Sequence, residues 1–275
     1  MAYLPSDVQE TIARALEEDV GSGDVTTDAV VPADDNAGGR LVAKQEGMVA
    51  GLEVARRVFA QVGPLEWEAI ADDGDEIVAG TWIAALAGPA RTLLTGERVA
   101  LNFLTHLSGI ATLTREFVDA CAGTESVILC TRKTLPGLRS LERYAVEVGG
   151  GVLHRAGLYD AVLIKDNHLA IAGGVTQAVG RAQSAGTSIE VECDTLEQVR
   201  EALDAGADRI LLDNPDGETV KRAVDLVGER VPLEVSGGMT VERVRQIAGL
   251  GRLLISVGAI THSAPALDIS LDLQT

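Results

Sequence analysis

The rhythm of hydrophobic and polar positions changes part-way along the chain. From about residue 126 onward, short apolar, β-branched runs recur: SVILC (126–130), DAVLIK (160–165), SIEVEC (188–193), RILLD (209–213), PLEVS (232–236) and LLISV (253–257). Most of the segments between them repeat at helical spacing, as in TLEQVREALDAG and TVERVRQIAGLG. Strands alternating with helices predict right-handed βαβ units and a parallel sheet. Six such units can close, or nearly close, into an α/β barrel. The absence of G-x-G-x-x-G after the first run lowers the alternative, an open doubly wound sheet.

The earlier part reads as a separate, smaller α/β domain. Ser6 or Asp7 can cap a helix reaching about Glu18, ahead of the glycine-broken GSGDVTT. RLVAKQ and GMVAG suggest strands, LEVARRVFAQV an amphipathic helix, and ADDGDEIVAGTWIAALAGPA two short strands flanked by glycine turns. A long helix is expected from about Thr92 towards Cys121.

Composition narrows the function classes. The chain has 275 residues, 46% of them hydrophobic, and no apolar run long enough to span a bilayer. The stretch MAYLPSDVQE lacks the basic and apolar regions of a signal peptide, so a cytoplasmic location is the default expectation. Cys121, Cys130 and Cys193 form no C-x-x-C pair and read as buried thiols. A net charge of -18 disfavours nucleic acid as a partner. Lysine is nearly abandoned, with Lys44, Lys133, Lys165 and Lys221 the only four. An acidic, lysine-poor surface of this kind leads us to expect a halophilic source.

One segment breaks that acidity. Residues 131–168 carry a formal +2 while the remainder carries -20. Two of the four lysines stand there at strand ends, where a parallel barrel places its working face. Arg132 and Lys133 follow SVILC, and DAVLIK ends on Lys165; compact ammonium groups and guanidinium suit an anionic ligand. Arg139 and Arg143 fit helix-surface charges equally well. The pair His154-Arg155 extends the cationic segment, whereas His106, His168 and His262 read as structural.

Later strand ends complement this. Ser236-Gly237-Gly238 opens towards a helix in a pattern that cradles phosphate, and Gly258-Ala259 can close the same cup. Glu192 and Asp213 present carboxylates that can hold sugar hydroxyls, meet Mg²⁺ or stabilise positive charge on a sugar carbon. Glu190 shares a face with Glu192, which lies nearer the strand end and is favoured to reach ligand. A desolvated Lys165 would alternatively serve as a Schiff-base nucleophile.

TRKTLPGLR, GGGVLHRAGLYDAVLIKDNH, IEVECDTLEQ, ILLDN, EVSGGMT and SVGAITHS together resemble the quinolinate phosphoribosyltransferase family, as do EEDVGSGDVTT and GERVALNFLTHLSGIAT. Cys130 and Leu153 stand where many members have Asp and Asn. The resemblance implies an N-terminal α/β sandwich domain over 1–108, joined by 265–275, and an incomplete parallel α/β barrel over 109–264. It implies phosphoribosyl transfer from phosphoribosyl pyrophosphate, bound with Mg²⁺, to quinolinate, with decarboxylation to nicotinate mononucleotide. A related transferase acting on nicotinate is the alternative. It further implies a homodimer or hexamer whose site is completed by Arg98 of a neighbouring subunit. Thr131, Arg132, Lys133, His154, Arg155 and Lys165 would line the acid and pyrophosphate region. Glu192 and Asp213 would face the ribose and metal. Ser236 to Gly238 and Val257, Gly258 and Ala259 would hold the 5′-phosphate.

Overall fold

The computed structural model describes residues 3–274. The chain divides into two compact units. The first gathers Met1–Arg115, Thr134–Gly150 and Ser263–Thr275, and the second Glu116–Lys133 and Gly151–His262. The division between these compact units falls inside a single 31-residue helix, Ala90–Ala120. The helix Arg139–Val148, expected within the barrel domain, groups with the first unit. Residues 1, 2 and 275, which the sequence boundaries include, lie outside the described residues.

The first unit holds strands β1 (Asn36–Ala43), β2 (Gly47–Met48), β3 (Glu66–Ala69), β4 (Glu76–Ile77) and β5 (Trp82–Pro89). β1, β3 and β5 join an antiparallel sheet with a strand from the chain's last residues (269–274), which pairs Leu271 with Leu41. The helix Leu52–Val62 shows why the pattern is legible here. Leu52, Val54, Ala55, Val58 and Phe59 are buried at helical spacing, while Arg56 and Arg57 turn outward to Glu53. Its first amides, on Gly51 and Leu52, donate to the Asp73 carboxylate at 2.9 and 3.0 Å. The GSGDVTT segment differs from expectation. Asp24 accepts from the Thr27 amide at 3.0 Å and starts a short helix, Val25–Val30, where the glycines had suggested only a break.

The second unit is a parallel sheet with helices between its strands. Its members are β6 (Val127–Leu129), β7 (Val162–Ile164), β8 (Ile189–Cys193), β9 (Arg209–Asp213), β10 (Leu233–Ser236) and β11 (Leu253–Ser256), matching the six apolar runs. Their order is β6-β11-β10-β9-β8-β7. Val152 adds a one-residue parallel bridge to Leu129 on the free side of β6, and among the described residues no pairing joins it to β7. The ring is an incomplete α/β barrel.

Alternation along these strands sorts side chains into two sets. Ile164, Val191, Leu212, Val235 and Ile255 are buried and apolar. Their neighbours one step away carry the polar groups described next. Register then fixes which of those groups meet, as in the pairing of Ser236 with Asp213.

Candidate active site

A cavity of about 580 Å³ opens at the carboxyl ends of the strands, and all its lining residues belong to the second unit. Alternate residues of β7, β9, β10 and β11 line it. β7 supplies Leu163 and then Lys165 just past its end, β8 supplies Glu192, and β9 supplies Leu211 and Asp213. β10 supplies Glu234 and Ser236, and β11 supplies Ser256 and then Gly258. Thr131, Arg132 and Lys133 come from the end of β6, and His154 and Arg155 from the segment after the Val152 bridge.

Of the predicted residues, Thr131, Arg132, Lys133, His154, Arg155, Lys165, Glu192, Asp213, Ser236, Gly237, Gly238, Gly258 and Ala259 all line this one cavity. Val257 does not. It is 1% exposed, and its amide is spent on the Leu129 carbonyl at 3.0 Å, so it has no N–H to offer a ligand. Arg98 is an exposed residue of the helix Ala90–Ala120 and lies outside the cavity lining. Arg139 holds Thr134 at 3.0 Å and is likewise outside it. His168 accepts the Lys165 amide at 2.9 Å at the start of a helix, and His106 lies 3.0 Å from buried Glu142, both structural uses. His262 departs from the structural reading by lining the cavity. Its helix, Ala259–His262, is one turn long, too short to leave a periodic signal in the sequence.

The cationic wall is locally engineered by short turns. The Lys133 amide donates to Thr131 Oγ1 at 3.0 Å, and Thr261 Oγ1 donates to the Lys133 carbonyl at 2.8 Å. Gly258 lets the Lys133 stem approach, since a Cβ there would stand 2.9 Å from Lys133 Cδ. Arg155 Nη1 donates to the Ala161 carbonyl at 3.2 Å, and Asp160 ties the loop by accepting the amides of Ala156 and Gly157. Burial and then the Arg132 charge lower the Arg155 pKa, a sign of two guanidinium groups gathered where an anion would relieve them.

Opposite stand the rim carboxylates. Glu192 is ion-paired with Lys165, whose side chain is 46% exposed. That half-exposed, charge-paired ammonium contradicts the desolvated amine a Schiff base needs. Asp213 accepts from Ser236 Oγ at 2.8 Å and from Asn214 Nδ2 at 2.9 Å. The turn beyond β10 uses positive φ at Gly237 (91°) and Gly238 (54°), where a Cβ on Gly237 would collide with Asn214. These glycines do not open the helix directly. It starts at Val241 behind the cap Thr240, so the turn is a separate feature presenting backbone to the cavity.

Beneath the rim lies a buried polar layer. His154 Nε2 is 3.0 Å from Glu190 Oε2 and 3.3 Å from Glu234 Oε2, and Arg209 Nη1 reaches Glu234 at 3.4 Å. Ser256 donates to Glu234 at 2.6 Å. Burial pushes the Glu190 pKa up to about 7, whereas contacts with His154 and Ser256 outweigh burial at Glu234 and lower it. Two influences oppose one another at His154. Burial depresses its pKa, and hydrogen bonds to the two carboxylates reverse this and raise it to about 9. The Arg155 amide, however, donates to Nδ1 at 2.7 Å, which a ring protonated at Nδ1 could not accept. The contact keeps Nδ1 as an acceptor, so the geometry favours the neutral Nε2–H ring over the doubly protonated one that the two carboxylates promote. The same three side chains are the one group among the described residues whose donor atoms, all within 4.8 Å, could hold a metal ion. Sequence reading missed Glu234 and underrated Glu190; their signal was a Glu two residues before a polar strand end, on β8 and again on β10.

Comparison with known proteins follows the same lines. Residues 24–108 match the quinolinate phosphoribosyl transferase N-terminal domain and residues 110–272 the C-terminal domain. The chain is 45% identical over 260 residues to a probable nicotinate-nucleotide pyrophosphorylase [carboxylating] of Bacillus subtilis, covering 93% of this chain and 89% of that one. It is 45% identical over 274 residues to the nicotinate-nucleotide pyrophosphorylase [carboxylating] of Mycobacterium leprae, covering 96% of each. The solved structure of the nicotinate-nucleotide pyrophosphorylase from Francisella tularensis superposes with a TM-score of 0.95 at 36% identity, over 99% of this chain and 98% of that one. The chain belongs to the quinolinate phosphoribosyl transferase family.

Proposed function

We propose that this protein transfers a phosphoribosyl group from phosphoribosyl pyrophosphate to quinolinate and releases CO₂, giving nicotinate mononucleotide for NAD biosynthesis. The single observation that carries this reading is the convergence of Arg132, Lys133, Arg155 and Lys165 on one cavity together with Glu192 and Asp213, in a chain of net charge -18. One substrate is a dianion and the other carries several negative charges, so a cationic wall is what holds both in one place.

Arg132 and Arg155 would take the acid's carboxylates, and Lys133 and Lys165 the pyrophosphate side. Magnesium would arrive with the pyrophosphate as part of that substrate, and Glu192 and Asp213 are the carboxylates that would hold it. The turn of Ser236 to Gly238, with Gly258 and Ala259, offers backbone to the 5′-phosphate. The ring nitrogen attacks the sugar carbon as pyrophosphate leaves, and the rim carboxylates stabilise the positive charge developing on the sugar. The ring is then a pyridinium. Its adjacent C–CO₂⁻ bond breaks, the electron pair stays on the ring carbon beside the positive nitrogen, and that carbon takes a proton. No covalent enzyme intermediate is required.

Exposed Arg98 would complete the site from a second copy of the chain, in a homodimer or a larger assembly. The protein should work in the cytoplasm, and no helix among the described residues is long and apolar enough to cross a membrane. Incubation with quinolinate, phosphoribosyl pyrophosphate and Mg²⁺ should yield nicotinate mononucleotide, pyrophosphate and CO₂. Acceptance of nicotinate in place of quinolinate would overturn the reading.

A further inference from the structure

His154 uses all three of its nitrogens inside the protein. Nε2 faces Glu190 at 3.0 Å and Glu234 at 3.3 Å, Nδ1 accepts the Arg155 amide at 2.7 Å, and the backbone N–H donates to Cys130 Sγ at 3.4 Å. The ring is also enclosed, its side chain 9% exposed. A histidine committed in this way is poorly placed to give a proton to a ligand. It is well placed to carry order from the buried layer to the residue after it.

We infer that Glu190, Glu234 and His154 form a hydrogen-bonded strut that positions Arg155, and that Glu190 and Glu234 are thereby positioning residues for the acid-binding half of the cavity. The chain of contacts is continuous. Ser256 and Arg209 fix Glu234 from two other strands, the carboxylates hold the Nε2 proton, and the opposite ring nitrogen holds the Arg155 amide. Arg155's guanidinium is then tethered at the Ala161 carbonyl. Each link is itself enclosed, with Glu190 5% and Glu234 1% exposed, and such buried hydrogen-bonded groups hold geometry well because water cannot substitute for a lost partner. Two carboxylates laid beneath a cationic wall oppose anion binding, a cost that a positioning role would offset. Fixing one ring tautomer supplies it, since the Nδ1–H form would set two donors against each other at Arg155.

The inference rests on the proposed reaction, and the test separates the two. Wild-type protein is assayed first, and failure to form nicotinate mononucleotide removes the reading itself. With active wild type, Glu190→Leu should raise KM for quinolinate about tenfold or more while KM for phosphoribosyl pyrophosphate stays within about twofold, because one buried partner of a positioning ring is lost. Glu190→Gln keeps an acceptor oxygen for Nε2–H and should recover most of the acid affinity. Imidazole ¹⁵N shifts of His154 should report the Nε2–H tautomer in wild type and Glu190→Gln, and growth of the Nδ1–H form in Glu190→Leu. A folded Glu190→Leu with unchanged KM for quinolinate, or with both KM values raised together, would overturn the inference. So would a His154 tautomer that does not respond to Glu190→Leu. Should Glu190→Leu fail to fold, the Gln variant decides alone: loss of acid affinity despite the retained acceptor contradicts the strut.

Discussion

Arg132 illustrates how much one side chain can carry. It follows a three-residue strand, lines the cavity and stands close enough to Arg155 for the two charges to oppose one another. Charge-assisted hydrogen bonds to a carboxylate contribute about 1.5–3 kcal/mol each, so Arg132→Ala should raise KM for quinolinate by about tenfold to a hundredfold. Thermal unfolding should stay close to wild type, because removing one cation from a cluster of like charges relieves repulsion with Arg155. Normal acid affinity in this variant would remove Arg132 from the site. Gly237 makes a different point at the same scale. With φ at 91° and Asn214 against its missing Cβ, Gly237→Ala combines backbone strain of about 1–3 kcal/mol with a collision. A lowered melting temperature together with a raised KM for phosphoribosyl pyrophosphate is the expected outcome, read by calorimetry and steady-state kinetics.

Elements were legible where local chemistry and tertiary burial agree. The six apolar runs became the six parallel strands, because one alternating set of side chains along them is buried and apolar. The helix Leu196–Ala205 was equally plain, and its start carries a capping box: Thr195 Oγ1 accepts the Gln198 amide at 3.2 Å, and Gln198 Oε1 accepts the Thr195 amide at 3.2 Å. Thr195→Ala should cost about 1 kcal/mol, visible as a drop of a few degrees in melting temperature with activity retained. What escaped sequence reading depended on distant partners. β3 exists through its pairing with β5, whereas the return of residues 265–275 to the first domain was expected from the family resemblance and is seen in the pairing of 269–274 with β1. The site divides the same way. Rim residues announced themselves as charges in unusual places, whereas Glu234 and Ser256 look like unremarkable strand positions until the barrel brings them beneath His154. Val257 lies outside the cavity lining for the opposite reason, since adjacency to a glycine says nothing about whether an amide is already bonded.

At the scale of the whole molecule, the cationic cavity is set in a strongly acidic background. The net charge of -18 makes the folded state repel itself at low ionic strength and lets it gain as salt screens that repulsion. Raising KCl from low to molar concentration should therefore increase the melting temperature, and easier unfolding under the same change would argue against a salt-adapted surface. Against that background the cavity brings together four of the chain's 23 Lys and Arg side chains, Arg132, Lys133, Arg155 and Lys165.

The central claim is that one cavity joins the acid to the sugar before the carboxylate leaves. Quinolinate labelled at the 2-carboxyl carbon tests it most directly, with release of labelled CO₂ followed in the presence and absence of phosphoribosyl pyrophosphate. Release should depend on phosphoribosyl pyrophosphate and match nicotinate mononucleotide one for one. Labelled CO₂ released without the second substrate, or nucleotide formed with the label retained, would contradict it.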